Sequence, residues 1–190
     1  MRTFIAIELP QDIKDRLSNL QVLLKKSEAD VKWVEPQNIH LTLKFLGEID
    51  EVKSVKITGI IEEIAQKEKQ FRINLSSCGA FPKIEFPRVI WIAVNKGDRE
   101  VKVLAEKLEE GIEKLGIPRE ERAFSSHITI GRVKSPVNKD KLLRALKETE
   151  NYFEGENTEF DVTKITLFKS TLGSSGPAYE PLKVINLTTT

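Results

Sequence analysis

The chain has 190 residues, of which 39% are apolar and 31% charged, and its formal net charge is +1. This is the composition of a soluble globular protein with a sizeable core, as one domain or two small lobes, and it leaves no global field to attract a polyanion. Cys78 is the only cysteine, which excludes an internal disulfide and a multi-cysteine metal site, and no apolar run reaches the ~18 residues of a membrane span.

The opening MRTFIAIELP alternates as a strand over 3–9 and turns polar too soon for a secretory signal, so a cytoplasmic protein is expected. Pro10 precedes a helix through QDIKDRLSNLQVLLKKSEA, where Ile13, Leu17, Leu20 and Leu24 recur at helical spacing. Residues 31–34 form a short extended piece stopped by Pro36, and HLTLKFLGEI is a strand. Asp50 is the N-cap of a helix over 50–69. FRINLSSC reads as one strand, GAFPKIEFPR with its two Phe-Pro pairs as a loop, and RVIWIAV as a strong strand. Asp98 caps a helix that Gly116 and Pro118 end. FSSHITIGRV is a strand and KDKLLRALKETE a short helix. TEFDVTKITLFKS is one long strand with room for a bulge, SSGP a turn, and PLKVINL the final strand.

The two histidines of the chain head the same tetrapeptide, His40-Leu41-Thr42-Leu43 and His127-Ile128-Thr129-Ile130, 87 residues apart. His40 follows Phe4 of the first strand by 36 residues, and His127 follows Ile90 of RVIWIAV by 37. Each half then reads strand, helix, HxTx strand, helix, strand. We expect an α+β fold, a single bilobal domain over 1–190 with repeat halves 1–85 and 86–190 that are free to exchange strands. Two antiparallel-sheet lobes with outer helices would surround a central groove carrying both motifs.

Alternation puts His40, Thr42 and Lys44 on one face of their strand, and Leu41, Leu43 and Phe45 on the other. His127 and Thr129 likewise oppose Ile128 and Ile130. Two imidazoles with ordinary pKa values near ~6.5 suit opposite proton-transfer roles at neutral pH. Threonine hydroxyls two residues on suit the free oxygens of a phosphoryl group. No acidic residues stand at ligand spacing to complete a metal site around the histidines. The segment GSSG lacks the lysine and helix of a phosphate-binding loop. No metal and no nucleotide cofactor are expected.

At these residues the sequence resembles the two-histidine phosphoesterase superfamily, and within it the RNA 2′,3′-cyclic phosphodiesterases, or 2′-5′ RNA ligases, of bacteria and archaea. The likeness runs through RTFIAIELP, VKWVEPQNIHLTLKFLGEI, RVIWIAV, FSSHITIGRVK and ITLFKSTLGSSGPAYEPL. It implies metal-independent opening of an RNA 2′,3′-cyclic phosphate to a 2′-phosphate, with reversible 2′-5′ joining in some members. It implies RNA ends as partners, tRNA halves among them, and a monomer that needs no membrane. His40 matches the proton donor to the 3′ leaving oxygen and His127 the base that activates water. Thr42 and Thr129 match the hydroxyls that hold the phosphate.

Arg132 resembles the family's phosphate-contacting cation, although strict alternation sets it opposite His127; a bulge at Gly131 would re-aim it. Lys44, on the His40 face, and Tyr179, in GPAYEPL, are further substrate-binding candidates. Trp33 is a candidate groove wall, whereas Phe45 and Trp91 are expected in the core. Ser125 and Ser126 stand where some relatives carry Ser-Pro. Two other functions compete with an enzyme on RNA ends. One is an RNA- or nucleotide-binding module without useful catalysis. The other is a phosphodiesterase for a small cyclic nucleotide such as ADP-ribose 1″,2″-cyclic phosphate.

Overall fold

Alternation along the first strand, β1 (Arg2–Glu8), sorts its side chains into two sets. Ile5 and Ile7 enter the main core, whereas Phe4 and Ala6 join Phe168 in a small cluster on the opposite face. The computed structural model describes residues 1–174 and 176–189. The expected SSGP turn and the terminal threonine run each reach one residue outside them, Ser175 and Thr190.

After β1 come α1 (Gln11–Lys25), β2 (Val31–Trp33), a 3-10 turn (Pro36–Asn38), β3 (His40–Glu48) and α2 (Glu51–Ala65). Then follow β4 (Phe71–Ile73), β5 (Leu75–Lys83), β6 (Phe86–Val94) and α3 (Asp98–Glu113). The chain closes with β7 (His127–Val133), α4 (Lys139–Glu148), β8 (Phe160–Val162), β9 (Lys164–Gly173) and β10 (Gly176–Asn186). Asp50 caps α2 by accepting from the Lys53 amide at 2.7 Å. Gly97, at φ 83°, precedes α3, and Asp98 lies in the first turn rather than at the cap.

Two four-stranded sheets form, in the orders β10-β9-β1-β3 and β2-β7-β6-β5, and every pairing in them is antiparallel. Each sheet takes strands from both halves of the sequence. β2 and β5 join the second sheet, and β9 and β10 join the first. A small ribbon, β4 with β8, pairs the halves a third time, with Arg72 bonded to Asp161 across it. Leucines and isoleucines of the four helices pack with the inner faces of both sheets in one continuous core.

Four segments differ from expectation. GAFPKIEFPR is not a loop: β5 and β6 run through it as a hairpin around a two-residue turn at Ile84-Glu85. The prolines are tolerated because β5 is an edge strand, and Pro87 lies outside the β6 segment that pairs with β7. FRINLSSC splits into β4 and β5 at Asn74, and TEFDVTKITLFKS into β8 and β9 at Thr163. At each break the chain leaves the small ribbon for a large sheet. The final strand is longer than PLKVINL, because β10 pairs with β9 from Gly176 onward.

Each HxTx strand carries an extra residue at the last position of its motif. In β3, Thr42 pairs with Ala6 but Lys44 pairs with Ile5, so Leu43 is the bulged residue. In β7, Thr129 pairs with Trp91 but Gly131 pairs with Ile90, so Ile130 is the bulged residue. Side-chain parity inverts after both bulges. Lys44 therefore turns to the core face of Ile5, and Phe45 turns to the face of His40. Arg132, paired with Val89, returns to the face of His127 and Thr129. The same pairings set His40 opposite Glu8 and His127 opposite Ala93. The counterpart of Phe4 is thus Val89, one residue from the Ile90 expected.

Neighbours hold both bulges. Lys44 Nζ is 2.6 Å from Glu109 of α3 and also donates to the Pro118 carbonyl at 3.3 Å; the two charged side chains are 1% and 11% exposed. The Ile130 carbonyl accepts from the Val34 amide at 3.0 Å and from the buried Gln21 amide at 2.9 Å. Gln21 also donates to the Val34 carbonyl at 2.8 Å. Gly131 leaves room for the close approach of β2: a Cβ there would lie 2.9 Å from Val31 and 3.0 Å from the Trp33 ring.

Replacing Glu109 by Ala strands the Lys44 charge in the core. A loss of about 3–5 kcal/mol in urea unfolding is expected, largely restored by the double variant Lys44→Met, Glu109→Leu. Gln21→Leu removes the donor that the Ile130 and Val34 carbonyls share, and a loss of about 1–3 kcal/mol is expected in the same assay.

Candidate active site

The two HxTx strands lie side by side where the sheets meet, because β3 is the inner edge of the first sheet and β2 covers β7 only from Gly131 onward. The His127–Thr129 end of β7 is thus left unpaired with β2. Both histidines and both threonines are half-buried.

The two rings share one hydrogen-bond scheme. His40 Nδ1 lies 2.7 Å from the Asn38 carbonyl, and His127 Nδ1 lies 2.7 Å from the Ser125 carbonyl. A carbonyl only accepts, so the proton sits on Nδ1 and the neutral ring keeps Nε2 as its free base. His40 Nε2 is 2.8 Å from Thr42 Oγ1, which donates to it when the ring is neutral. Among the described residues no matching bond joins Thr129 to His127.

The surroundings of the two rings differ. His40 stacks on Phe4, with centroids 4.8 Å apart, and meets the edge of Tyr179 at 5.4 Å. Burial holds its pKa below the ordinary 6.5; the Asn38 carbonyl opposes the shift and the Lys14 charge adds to it. His127 meets Phe81, edge on, at 5.1 Å. Trp91, expected in the core, lies on the groove face opposite Thr129. Its ring packs on Phe81 at 4.9 Å and covers Gly79, where a Cβ would lie 2.6 Å from it.

Of the other expected residues, Arg132 and Tyr179 reach the site and Lys44 does not. Arg132 is exposed on the groove face. Burial pushes the Tyr179 phenol up, against the opposing charges of Arg132 and Arg2. Lys44 is spent in the buried pair with Glu109 because the Leu43 bulge turns it inward. Trp33 packs on the core side beside Gly131, while Lys32, opposite Arg132, shares the arginine's face. Phe45, expected in the core, is 54% exposed beside Phe4. Phe4 and Phe81 escape a reading of motifs because each meets its histidine only through sheet assembly, Phe4 from the neighbouring β1 and Phe81 from β5, beyond β6; the alternation of TFIAIEL was the sole signal for Phe4.

A cavity of about 210 Å³ opens beside His40, bounded by Phe4, Glu8, Lys14, Phe168, Tyr179 and Pro181. A larger one of about 410 Å³, near Arg16 and Tyr152, contains neither histidine. Burial pushes the Cys78 thiol up to about 12, so no thiolate is available at neutral pH. Among the described residues no group of three His, Cys, Asp or Glu side chains converges. No helix among them is long and apolar enough to cross a membrane. The arrangement offers two imidazole Nε2 atoms, two hydroxyls and a guanidinium on two strands that are in contact. These are the groups that proton transfer at a bound phosphodiester uses.

The sequence matches the model of the LigT like phosphoesterases twice, over residues 7–91 and 92–179. It is 34% identical over 187 residues to an RNA 2′,3′-cyclic phosphodiesterase of Methanothermobacter thermautotrophicus, covering 98% of this chain and 99% of that one. A protein of the same name from Methanocaldococcus jannaschii is 38% identical over 183 residues, covering 96% and 99%. The solved structure of E. coli LigT in apo form superposes with a TM-score of 0.80 at 29% identity, covering 98% of this chain and 97% of that one. The same protein complexed with 3′-AMP gives 0.78 at 27%, covering 98% of each. With the model matched once in each half, this chain belongs to the LigT-like phosphoesterase family.

Proposed function

We propose that the protein hydrolyses RNA 2′,3′-cyclic phosphate ends to 2′-phosphates by acid–base catalysis without a metal, and that it reversibly joins such ends to a 5′ hydroxyl through 2′-5′ linkages. The observation that carries this reading is the pairing of two Nδ1-protonated histidines, each with a threonine two residues on, along adjacent strands. Relatives named RNA 2′,3′-cyclic phosphodiesterase, matched along nearly their whole length, support it.

In this mechanism His127 Nε2 takes a proton from water as the water oxygen attacks phosphorus. The P–O3′ bond breaks, and the 3′ oxygen takes a proton from His40 Nε2. Thr42 and Thr129 hold the two free phosphate oxygens, and Arg132 offsets their charge. The products are a 2′-phosphomonoester and a 3′ hydroxyl; ligation follows the same steps with a 5′ hydroxyl in place of water, and cleavage of the 2′-5′ linkage runs them backward with the histidine roles exchanged. In the free protein the depressed His40 ring is mostly neutral near pH 7. A phosphate anion at Nε2 favours the charged ring that the acid step requires. The reading extends to a cytoplasmic monomer acting on RNA ends, tRNA halves among its candidate substrates.

Incubating the protein and EDTA with a short RNA ending in a 2′,3′-cyclic phosphate should yield a 2′-phosphate, identified by mass and by resistance to 3′-nucleotidase. His40→Ala and His127→Ala should each lower kcat by about 10²–10⁴-fold, the usual weight of one general acid or base. Loss of turnover on adding EDTA rejects the metal-free mechanism. Nucleotide binding without turnover favours a binding module.

The pH dependence supplies a separate check. The acid limb of kcat/KM reports the lower ionisation of the free protein, so it should fall below pH 6.5, where His40 is depressed. NMR titration should assign that ionisation to His40 and move it upward when a 2′-nucleotide is bound. An acid limb at or above 6.5 counts against the buried, neutral His40.

A further inference from the structure

The end of the β5–β6 hairpin carries a cluster that proton transfer does not use. Phe86, just past the Ile84-Glu85 turn, is 56% exposed. Two ammonium groups lie over its ring. Lys139 Nζ, from the start of α4, is 4.1 Å from the centroid, and Lys83 Nζ, from the strand paired with Phe86, is 5.1 Å from it. Two like charges over one ring repel each other, and an anion between them relieves the repulsion. Among the described residues no carboxylate forms an ion pair with either lysine. From Phe81 to Val94 the one acid is Glu85, against Lys83 and Arg88. An exposed ring between unpaired cations holds a nucleic-acid base by its face and the flanking phosphates by their charge.

The cluster also lies in line with His127. His127 pairs with Ala93 of β6, and Arg132 pairs with Val89 of β6 and Lys32 of β2. Phe86 stands seven residues before Ala93 on the same strand, roughly 20 Å away at ~3.3 Å per residue. The exposed Arg132 and Lys32 lie between.

We infer that this track, from Arg132 and Lys32 to Phe86, Lys83 and Lys139, holds the RNA strand whose 5′ hydroxyl takes the place of water in ligation. The inference rests on the proposed function, which fixes the side. His40 serves the 3′ oxygen of the cyclic-phosphate strand. In-line attack brings the nucleophile from the opposite side, where His127 Nε2 takes its proton. The 5′ oxygen bonds to phosphorus, the P–O3′ bond breaks, and His40 gives a proton to the 3′ oxygen. Water brings nothing behind it, but a 5′ hydroxyl brings a chain, and that chain leaves along β6 and β7. Arg132 and Lys32 meet its first phosphates. A base a few nucleotides on stacks on Phe86, with Lys83 and Lys139 on the phosphates beside it.

The test separates the two nucleophiles. One short RNA ending in a 2′,3′-cyclic phosphate is offered to water alone, or to 5′-hydroxyl RNAs of one and of eight nucleotides. Wild type should join the longer strand with a kcat/KM at least about fivefold above the shorter, the lower weight of one stacked base. Phe86→Ala, and separately the double variant Lys83→Ala, Lys139→Ala, should remove that gain and leave hydrolysis unchanged. Equal joining of both lengths by wild type, or a gain kept in both variants, overturns the inference. Hydrolysis that falls as far as joining also overturns it, since the cluster then serves the fold or the other strand. Should wild type leave the cyclic phosphate intact, the proposed function fails; should it hydrolyse without joining, ligation alone fails. In either case the track is judged by fluorescence anisotropy with a single-stranded 5′-hydroxyl RNA octamer labelled at its 3′ end. Binding at least about fivefold weaker in Phe86→Ala, and a salt slope lowered by about 0.7 for each lysine removed, upholds the track. Unchanged binding rejects it.

Discussion

The site depends on two bulged residues, Leu43 and Ile130. A regular strand would carry side-chain parity unbroken from each histidine. Lys44 would then enter the groove, and Arg132 would point into the core with its charge unpaired. One extra residue past each threonine reverses both outcomes. A bulge also disrupts the ladder, and polar groups at each one find other partners. The Gln21 side chain and the Val34 amide serve the Ile130 carbonyl, and Glu109 receives the inverted Lys44. The bulges thus tie the geometry of the candidate site to buried polar contacts on α1 and α3.

The duplication supplies two nearly identical bases, and the surroundings make them different. Both rings give their Nδ1 proton to the carbonyl two residues back, which exposes Nε2 in the same way in both lobes. His40 is then enclosed by Phe4 and Tyr179, and burial resists its charge. His127 meets only the edge of Phe81 among the aromatic rings. Acid–base catalysis needs two groups in opposite protonation states. Two copies of one motif in one environment would have no reason to separate, and the enclosing aromatics give them one. The same enclosure makes the acid role proposed for His40 depend on an anion beside it, which would couple its protonation to the presence of a bound phosphate.

Much of this was legible in the sequence because strands and helices announce themselves by period. The recurrence of HxTx, the strand-helix order of each half and the alternation of TFIAIEL gave the α+β duplication and the pair of histidines. Arg132 was reachable because Gly131 advertised a bulge. Lys44 and Phe45 were not, since HLTLKF contains no glycine and its bulge is set by pairing with β1, which period alone cannot show. The hairpin through GAFPKIEFPR was hidden for a related reason. Phe-Pro pairs mark loops unless the proline lies at a sheet edge, and edge position is a property of the assembled sheet. Glu8 and Lys14, one at the end of a strand and one on a helix, meet at His40 only through tertiary packing.

Strand exchange explains why the groove is not symmetric although its motifs are. β9 takes beside β1 the place that β5 takes beside β6, and β4 pairs with β8, so the duplicated strands interlock. Two strands fall outside this pattern. β2 covers the second lobe beyond Gly131, where it presents Lys32 beside Arg132. β10 extends the first lobe beyond β9 and brings Tyr179 to His40, while the Asn38 side chain, donating to the Pro177 carbonyl at 2.8 Å, locks that strand to the approach of the motif. One added strand therefore strengthens the cationic side of the groove and the other builds an aromatic wall over one histidine. A phosphodiester with a nucleoside on one side and water on the other is itself asymmetric. The two added strands are what fit a duplicated scaffold to such a substrate.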